Sequence, residues 1–206
     1  MEGQKSFKER VKETVINNAA TYKWYYVNYE YLLCSKAFTQ NEYYIVSAHE
    51  DNYLHLTGLH TSLSAEDFFN KCLAGTLEES DFDFVKAGQN EKEVKGSVRR
   101  KINSLSGMMN MFGGSTMIEE DFVKNRIRCS FATASSDVTL GFIVAGKAKP
   151  MTLLKGNELN SSKAKRLELV LRRRKDEDKF SELLVGTEET LNEYRESLGE
   201  LLADDL

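Results

Sequence analysis

Ile127-Arg128-Cys129-Ser130-Phe131-Ala132-Thr133, then Ser135-Ser136-Asp137, then Val138-Thr139-Leu140-Gly141-Phe142-Ile143-Val144-Ala145 is the stretch that sets the fold class. Two runs rich in β-branched and aromatic residues flank a short polar turn, so they read as successive strands, and so short a connection joins antiparallel neighbours. Alternation along the first run predicts Ile127, Cys129, Phe131 and Thr133 on one face and Arg128, Ser130 and Ala132 on the other. Toward the C-terminus, strands are predicted over 151–154, 166–173 and 179–185, with a turn at Gly156-Asn157-Glu158. Toward the N-terminus, residues 25–38 and 43–46 form a predicted hairpin around Thr39-Gln40-Asn41, and 53–59 a third short strand.

Helices frame these strands. Phe7, Val11, Val15, Ala19 and Tyr22 recur at three and four residues, one face of an amphipathic helix. Ser64 and Asp67 place a capping hydroxyl and a carboxylate three residues apart just before Phe68, Phe69, Cys72 and Leu73, which predicts a capped helix ending near Gly75. Val94, Val98, Ile102, Leu105, Met109 and Phe112 form a stripe on a longer helix, with Arg99, Arg100 and Lys101 beside it and Gly113-Gly114 at its end. Residues 188–202 close the chain as an acidic helix. The class is α+β, an antiparallel sheet with N-terminal and C-terminal helices packed on it. With no repeat and no linker, 1–206 reads as a single domain in which 187–206 is the acidic C-terminal helix.

The 206 residues are 41% hydrophobic with a single Pro, an ordinary globular composition. No run reaches the roughly 18 apolar residues of a membrane span, and Met1-Glu2-Gly3-Gln4-Lys5 does not open a secretory signal. Three widely spaced cysteines, Cys34, Cys72 and Cys129, suit reduced core thiols and a cytoplasmic protein. The net charge of -4 conceals an asymmetry. Residues 92–175 carry 18 basic and 7 acidic side chains (+11), while 176–206 carry 2 and 11 (-9). Such a basic segment points to a polyanion partner, or else the acidic tail folds over it.

Several motifs are excluded. The run from Gly141 to Ala148 mimics a phosphate-binding loop, but its interior is an apolar strand, Ala148 lacks the magnesium-binding hydroxyl and Pro150 follows closely. Neither cysteines nor histidines have metal-ligand spacing, so no metal and no cofactor are expected. All three histidines, His49, His55 and His60, nevertheless fall within twelve residues. On the predicted strand, Leu54 and Leu56 face the core, while Tyr53, His55 and Thr57 share the other face. Histidine suits proton transfer because its unperturbed pKa of about 6.5 lies near working pH. Arg99, Arg100, Arg126 and Arg128 supply planar forks for phosphate, and Ser130 a hydroxyl beside Arg128. Metal-free RNA cleavage requires such a set: the 2′-hydroxyl loses a proton, the 5′-oxygen gains one, and charge on phosphorus is stabilised. The run Arg172-Arg173-Arg174-Lys175 reads instead as a solvated strand end.

The blocks Tyr53-Leu54-His55-Leu56-Thr57-Gly58-Leu59-His60-Thr61, Ser97-Val98-Arg99-Arg100-Lys101-Ile102 and Asn125-Arg126-Ile127-Arg128-Cys129-Ser130-Phe131-Ala132-Thr133, with Leu140-Gly141-Phe142 after them, carry a resemblance. They resemble a phage and mobile-element branch of the barnase/EndoU/colicin/RelE-like nuclease superfamily, from about residue 5 to the C-terminus. The resemblance implies a barnase/RelE-like fold and a metal-independent endoribonuclease of the toxin or effector type. It implies His55 as the main acid/base, Thr57 to orient it or the substrate, Arg99, Arg126 and Arg128 on phosphate, and Ser130 and Thr133 as hydroxyl donors. His60, by proximity, is the second proton-transfer group, and Tyr53 and Arg100 complete the substrate-binding set. RNA is the expected substrate, with a host or inhibitor protein as a further partner and no membrane. Two competitors stand: a catalytically silent module binding RNA or a host protein, and another phosphate-handling enzyme.

Overall fold

A computed structural model describes residues 5–206. Helix α1 spans Phe7–Tyr22. Its N-cap Ser6 accepts a hydrogen bond from the Glu9 amide at 3.0 Å, and it buries the expected Val11, Val15, Ala19 and Tyr22. A π-helical turn leads into strand β1 (Tyr29–Cys34), and β2 is Tyr43–Ser47. Two short helices follow, α2 (Asn52–Thr57) and α3 (Ala65–Ala74), then the long α4 (Glu91–Met108). Ser64 caps α3 and Gly75 ends it in the left-handed region, as its sequence predicts. A reciprocal cap between Asn90 and Glu93 starts α4. The remaining strands are β3 (Met117–Glu120), β4 (Val123–Lys124), β5 (Ile127–Arg128), β6 (Phe131–Ala134), β7 (Val138–Ala145), β8 (Lys147–Lys155), β9 (Lys165–Arg166), β10 (Leu169–Arg174) and β11 (Glu182–Val185), and α5 is Glu188–Leu198.

Nine strands form one sheet in the order β11-β10-β1-β2-β8-β7-β6-β3-β9, and β4 with β5 makes a separate hairpin. The sheet is mixed rather than antiparallel throughout, because β2 pairs parallel to β8 through Val46 and Ala148. The cause is topological. A strand that leaves through α2, α3 and α4 crosses over before the chain returns beside it, and a crossover permits parallel pairing. The phosphate-loop mimic is the β7–β8 hairpin, turning at Gly146 with φ 75°.

Both faces of the sheet are used. On the inner face, α1 to α4 pack over Tyr31, Leu33, Val46, Phe131, Leu140, Phe142 and Leu153 in the main core. On the outer face, Leu191, Tyr194 and Leu198 of α5 bury against Leu32, Cys34, Leu169 and Leu171. The acidic helix is therefore seated by apolar packing, each fully buried leucine contributing roughly 1.5–3 kcal/mol. Its Glu193 meets Lys36 at 2.7 Å, a cation outside the basic middle segment. The β4–β5 hairpin folds onto the other end of the outer face, where Phe122, Cys129 and Ala132 form a third cluster.

Several predicted elements differ: residues 25–27 belong to the π-helical turn, the strand expected over 166–173 splits into β9 at one edge of the sheet and β10 near the other, and the long helix stops at Met108, short of Gly113-Gly114. Two further differences bear on the site. Residues 127–133 are broken at 129–130: the Cys129 amide bonds to Phe122 O, whereas the Ser130 amide bonds to Phe142 O, so the chain changes partners there. The predicted alternation fails across the break. Cys129 shares the outer cluster with Ala132, while Phe131 turns into the main core. Residues 53–59 form α2 with its left-handed cap Gly58, not a strand. Asn52, Tyr53, Leu56 and Thr57 are its buried positions, the last three at helical spacing.

Candidate functional site

The helix α2 decides where the histidines go. His55 is exposed on α2, and His60 lies two residues past Gly58 in a short bridge to Asp83. Both line a cleft of about 530 Å³ that is bounded also by Val85, Lys86, Ala87 and Gln89 and by Val94, Ser97 and Lys101 of α4. His60 Nδ1 lies 2.8 Å from Asp83 Oδ1. The Asp83 carboxyl is held below the ordinary carboxylate range, first by a hydrogen bond from the Val85 amide and also by His60. An ionised carboxylate only accepts, so Nδ1 carries the proton and Nε2 is left for chemistry.

Lys101 completes the cleft. Its Nζ donates to the carbonyl of His55 at 2.9 Å, satisfying the C-terminal end of α2. Burial, with the nearby Lys86 charge, pushes its pKa down to about 8. Gly58 makes room for it: φ is +72°, and a Cβ there would sit 2.8 Å from Lys101 Cδ. Gly58→Ala is expected to cost about 1–2 kcal/mol from the left-handed backbone alone and to displace Lys101. Thermal unfolding and the Lys101 titration, followed by NMR, check both effects.

The other predicted site residues do not converge here. Tyr53 is wholly buried with its hydroxyl donating to Val15 O at 2.7 Å, and Thr57 is wholly buried with its hydroxyl donating to Leu54 O at 2.8 Å. Thr133 is buried in β6 with no partner for its hydroxyl among the described residues. These three serve the core. On α4, Arg99 stacks over the Phe7 ring at 5.1 Å, away from the cleft, and Arg100 is exposed beside it without lining it. Arg126 and Arg128 are exposed on the β4–β5 hairpin, and the Ser130 hydroxyl accepts from the Val144 amide at 3.0 Å. The sheet thus stands between the cleft and the hairpin arginines.

A charged network on the outer face escaped the sequence reading. Glu30, only 2% exposed in β1, pairs in register with Arg173 on one side and Ser47 on the other. Its carboxylate receives Lys147 Nζ at 2.6 Å and Arg173 Nη2 at 2.6 Å. Arg173 is therefore no solvated strand end but half of a buried ion pair, with its ring-facing side over Phe180. Lys175 beyond it donates to Ala48 O at 2.7 Å and lies 3.4 Å from His49 Nδ1. The only sequence signal was a lone acid in an apolar strand, Tyr29-Glu30-Tyr31-Leu32. The three cysteines are free and buried, as expected.

The family model described as phage-Barnase-EndoU-ColicinE5/D-RelE like nuclease4 matches residues 14–192, from α1 through the first half of α5. The chain belongs to this nuclease family. The matched span contains the histidine cleft, the hairpin arginines and the Glu30 network. Membership makes nucleic acid the substrate class. No curated protein and no solved structure matches the chain. Among the described residues no helix is long and apolar enough to cross a membrane.

Proposed function

We propose that this member of the nuclease family is a metal-independent endoribonuclease whose chemistry takes place in the His55–His60 cleft. The observation that carries the reading is the His60–Asp83 pair: a histidine with one ring nitrogen fixed by a carboxylate presents the other as a base. In this reading His60 Nε2 takes the proton of a ribose 2′-hydroxyl, the freed oxygen attacks the adjacent phosphorus, and the 5′-oxygen leaves. His55 returns a proton to that oxygen. Lys101, cationic at neutral pH, stabilises the charge that builds on the phosphoryl oxygens. The family's phage character and the buried thiols support an effector acting in a bacterial cytoplasm, with a host or inhibitor protein as partner. One domain, 1–206, carries it.

The test is incubation of wild-type protein and His55→Ala with labelled RNA in EDTA, with analysis of the product ends. The expected products end in 2′,3′-cyclic phosphate and depend on His55. The rate should fall as pH rises through about 8, where Lys101 loses its charge, and Lys101→Met should remove that decline. The silent-module reading draws on a specific observation, the sheet that separates the arginines from the histidines. Intact RNA with folded protein across several substrates would establish that reading instead.

A further inference from the structure

Lys71 and Lys147 each meet a carboxylate, at 2.8 Å from Asp81 and 2.6 Å from Glu30. Lys101 does not. Its Nζ donates to the His55 carbonyl and has no ion-pair partner among the described residues. No carboxylate lines its cleft, and the α4 positions one turn away, Ser97, Val98, Ser104 and Leu105, are uncharged. The titratable groups that share the cleft are His55 on α2, His60 beyond Gly58 and Lys86 on the segment opposite, none of them an acid. Leu54, Leu59, Val85 and Val94 supply an apolar lining. Burial first, and the Lys86 charge second, bring the Lys101 pKa down to about 8 because neither offsets the cost of holding its proton. A lysine desolvated by apolar surroundings and set beside another cation is activated as a nucleophile toward a carbonyl.

We propose that the cleft has a second activity, cleavage of a DNA strand at an abasic site, with Lys101 as the nucleophile and His60 as the base. The family acts on nucleic acid, and an abasic deoxyribose, unlike an intact nucleotide, opens to an aldehyde at C1′ that an amine can attack. A cleft of about 530 Å³ admits the sugar with its phosphate. The Lys101 Nζ lone pair adds to C1′ and water leaves, giving a protonated imine. That imine acidifies the C2′ hydrogen. His60 Nε2, its Nδ1 fixed on Asp83, takes the C2′ proton; the electron pair forms the C2′–C3′ double bond, and the 3′-phosphate departs with the C3′–O pair. Water then hydrolyses the imine, freeing the amine and an unsaturated aldehyde. The elimination rests on the reading of His60 as a base, whereas imine formation rests on Lys101 alone. No 2′-hydroxyl takes part.

The probe is a fluorescent single-stranded DNA with one abasic deoxyribose, incubated with the full chain in EDTA, with and without cyanoborohydride, which reduces the imine to a stable amine. With the reductant, a covalent protein–DNA adduct should form, and peptide mass spectrometry should place it on Lys101. Without it, the strand should break to a 3′ unsaturated aldehyde and a 5′-phosphate. Lys101→Arg, which keeps a cation and a donor for the His55 carbonyl, should lower adduct formation about tenfold or more with the fold intact. His60→Ala should still form the adduct but break the strand more slowly. Adduct formation should rise as pH rises through about 8, the opposite of RNA cleavage, because the imine needs the free amine and the phosphoryl charge needs the cation. DNA has no 2′-hydroxyl, so failure here leaves the ribonuclease reading standing, and intact RNA leaves this one. No adduct beyond that of free lysine, an adduct mapped to other lysines, an adduct on Lys101 without strand breakage, or undiminished breakage by His60→Ala would each overturn the proposal.

Discussion

His60→Ala is expected to lower the rate of RNA cleavage by about 10²–10⁴-fold, the usual contribution of a positioned acid–base group, with the fold intact. The fold should survive because the His60 side chain is 59% exposed and its backbone bridge to Asp83 does not need the ring. Asp83→Asn should act through His60 and cost less. An amide oxygen can still receive Nδ1–H, but it stabilises the developing imidazolium far less than a carboxylate does. Its effect should fall on kcat rather than KM, a split that loss of a merely structural contact would not produce. Wild-type cleavage by His60→Ala would remove His60 from the mechanism and return the weight to His55.

The parts of the fold that were legible in the sequence are those specified by local chemistry. Ser64 caps α3 through a side-chain oxygen within three residues, so α3 begins where the sequence says, and Ser6 and Asn90 start α1 and α4 by the same local chemistry. β7 likewise matches its run of residues. The error at α2 has a definite origin. Placing Tyr53 with His55 and Thr57 on a polar face makes Leu54 and Leu56 look like the core face of a strand. In the structure its ring is core, and Tyr53, Leu56 and Thr57 restore the helical period. Gly58 was the available correction, since a glycine after an apolar turn is a helix stop.

The site was half legible for a related reason. His55 and His60 share one cleft because six residues of helix and cap cannot carry them far apart. Asp83 and Lys101 come from 23 and 46 residues beyond their partners, separations that no local pattern encodes. The arginine block failed at one kink. A single alternation fits the run of seven residues, but the change of partner at Cys129–Ser130 carries Arg126 and Arg128 away on a hairpin over the outer face. Hydrophobic period fixes which residues are buried. It does not fix which face of a sheet covered on both sides a charge will reach.

The largest stability effect is expected at Glu30. Glu30→Ala leaves the Arg173 guanidinium, nearly buried, with the carbonyl of Asp178 and the face of Phe180 but strands it without a counter-charge. Breaking a buried pair from one side costs about 3–5 kcal/mol. For a chain of this size that corresponds to a melting temperature lower by roughly 10 °C. Lys147 adds little to the loss because its side chain is 46% exposed and can rehydrate. The acid limb gives an independent check. Burial is the largest single influence on Glu30 and pushes its pKa up, but the hydrogen bonds from Lys147, Arg173 and Ser47 together outweigh it and hold the carboxyl below its ordinary value. A carboxylate depressed in the folded state contributes stability that is present above the unfolded pKa of about 4.3 and lost as pH falls through the folded value. Glu30→Gln should therefore lose stability at neutral pH yet show a flatter decline below about pH 4.5 than the wild type. Denaturant unfolding across pH measures both. Glu30→Met/Arg173→Met should recover much of the loss, because removing both charges leaves nothing stranded, whereas a cost under about 1 kcal/mol for Glu30→Ala would show that water already reaches Arg173 and that the pair is not the anchor of this face.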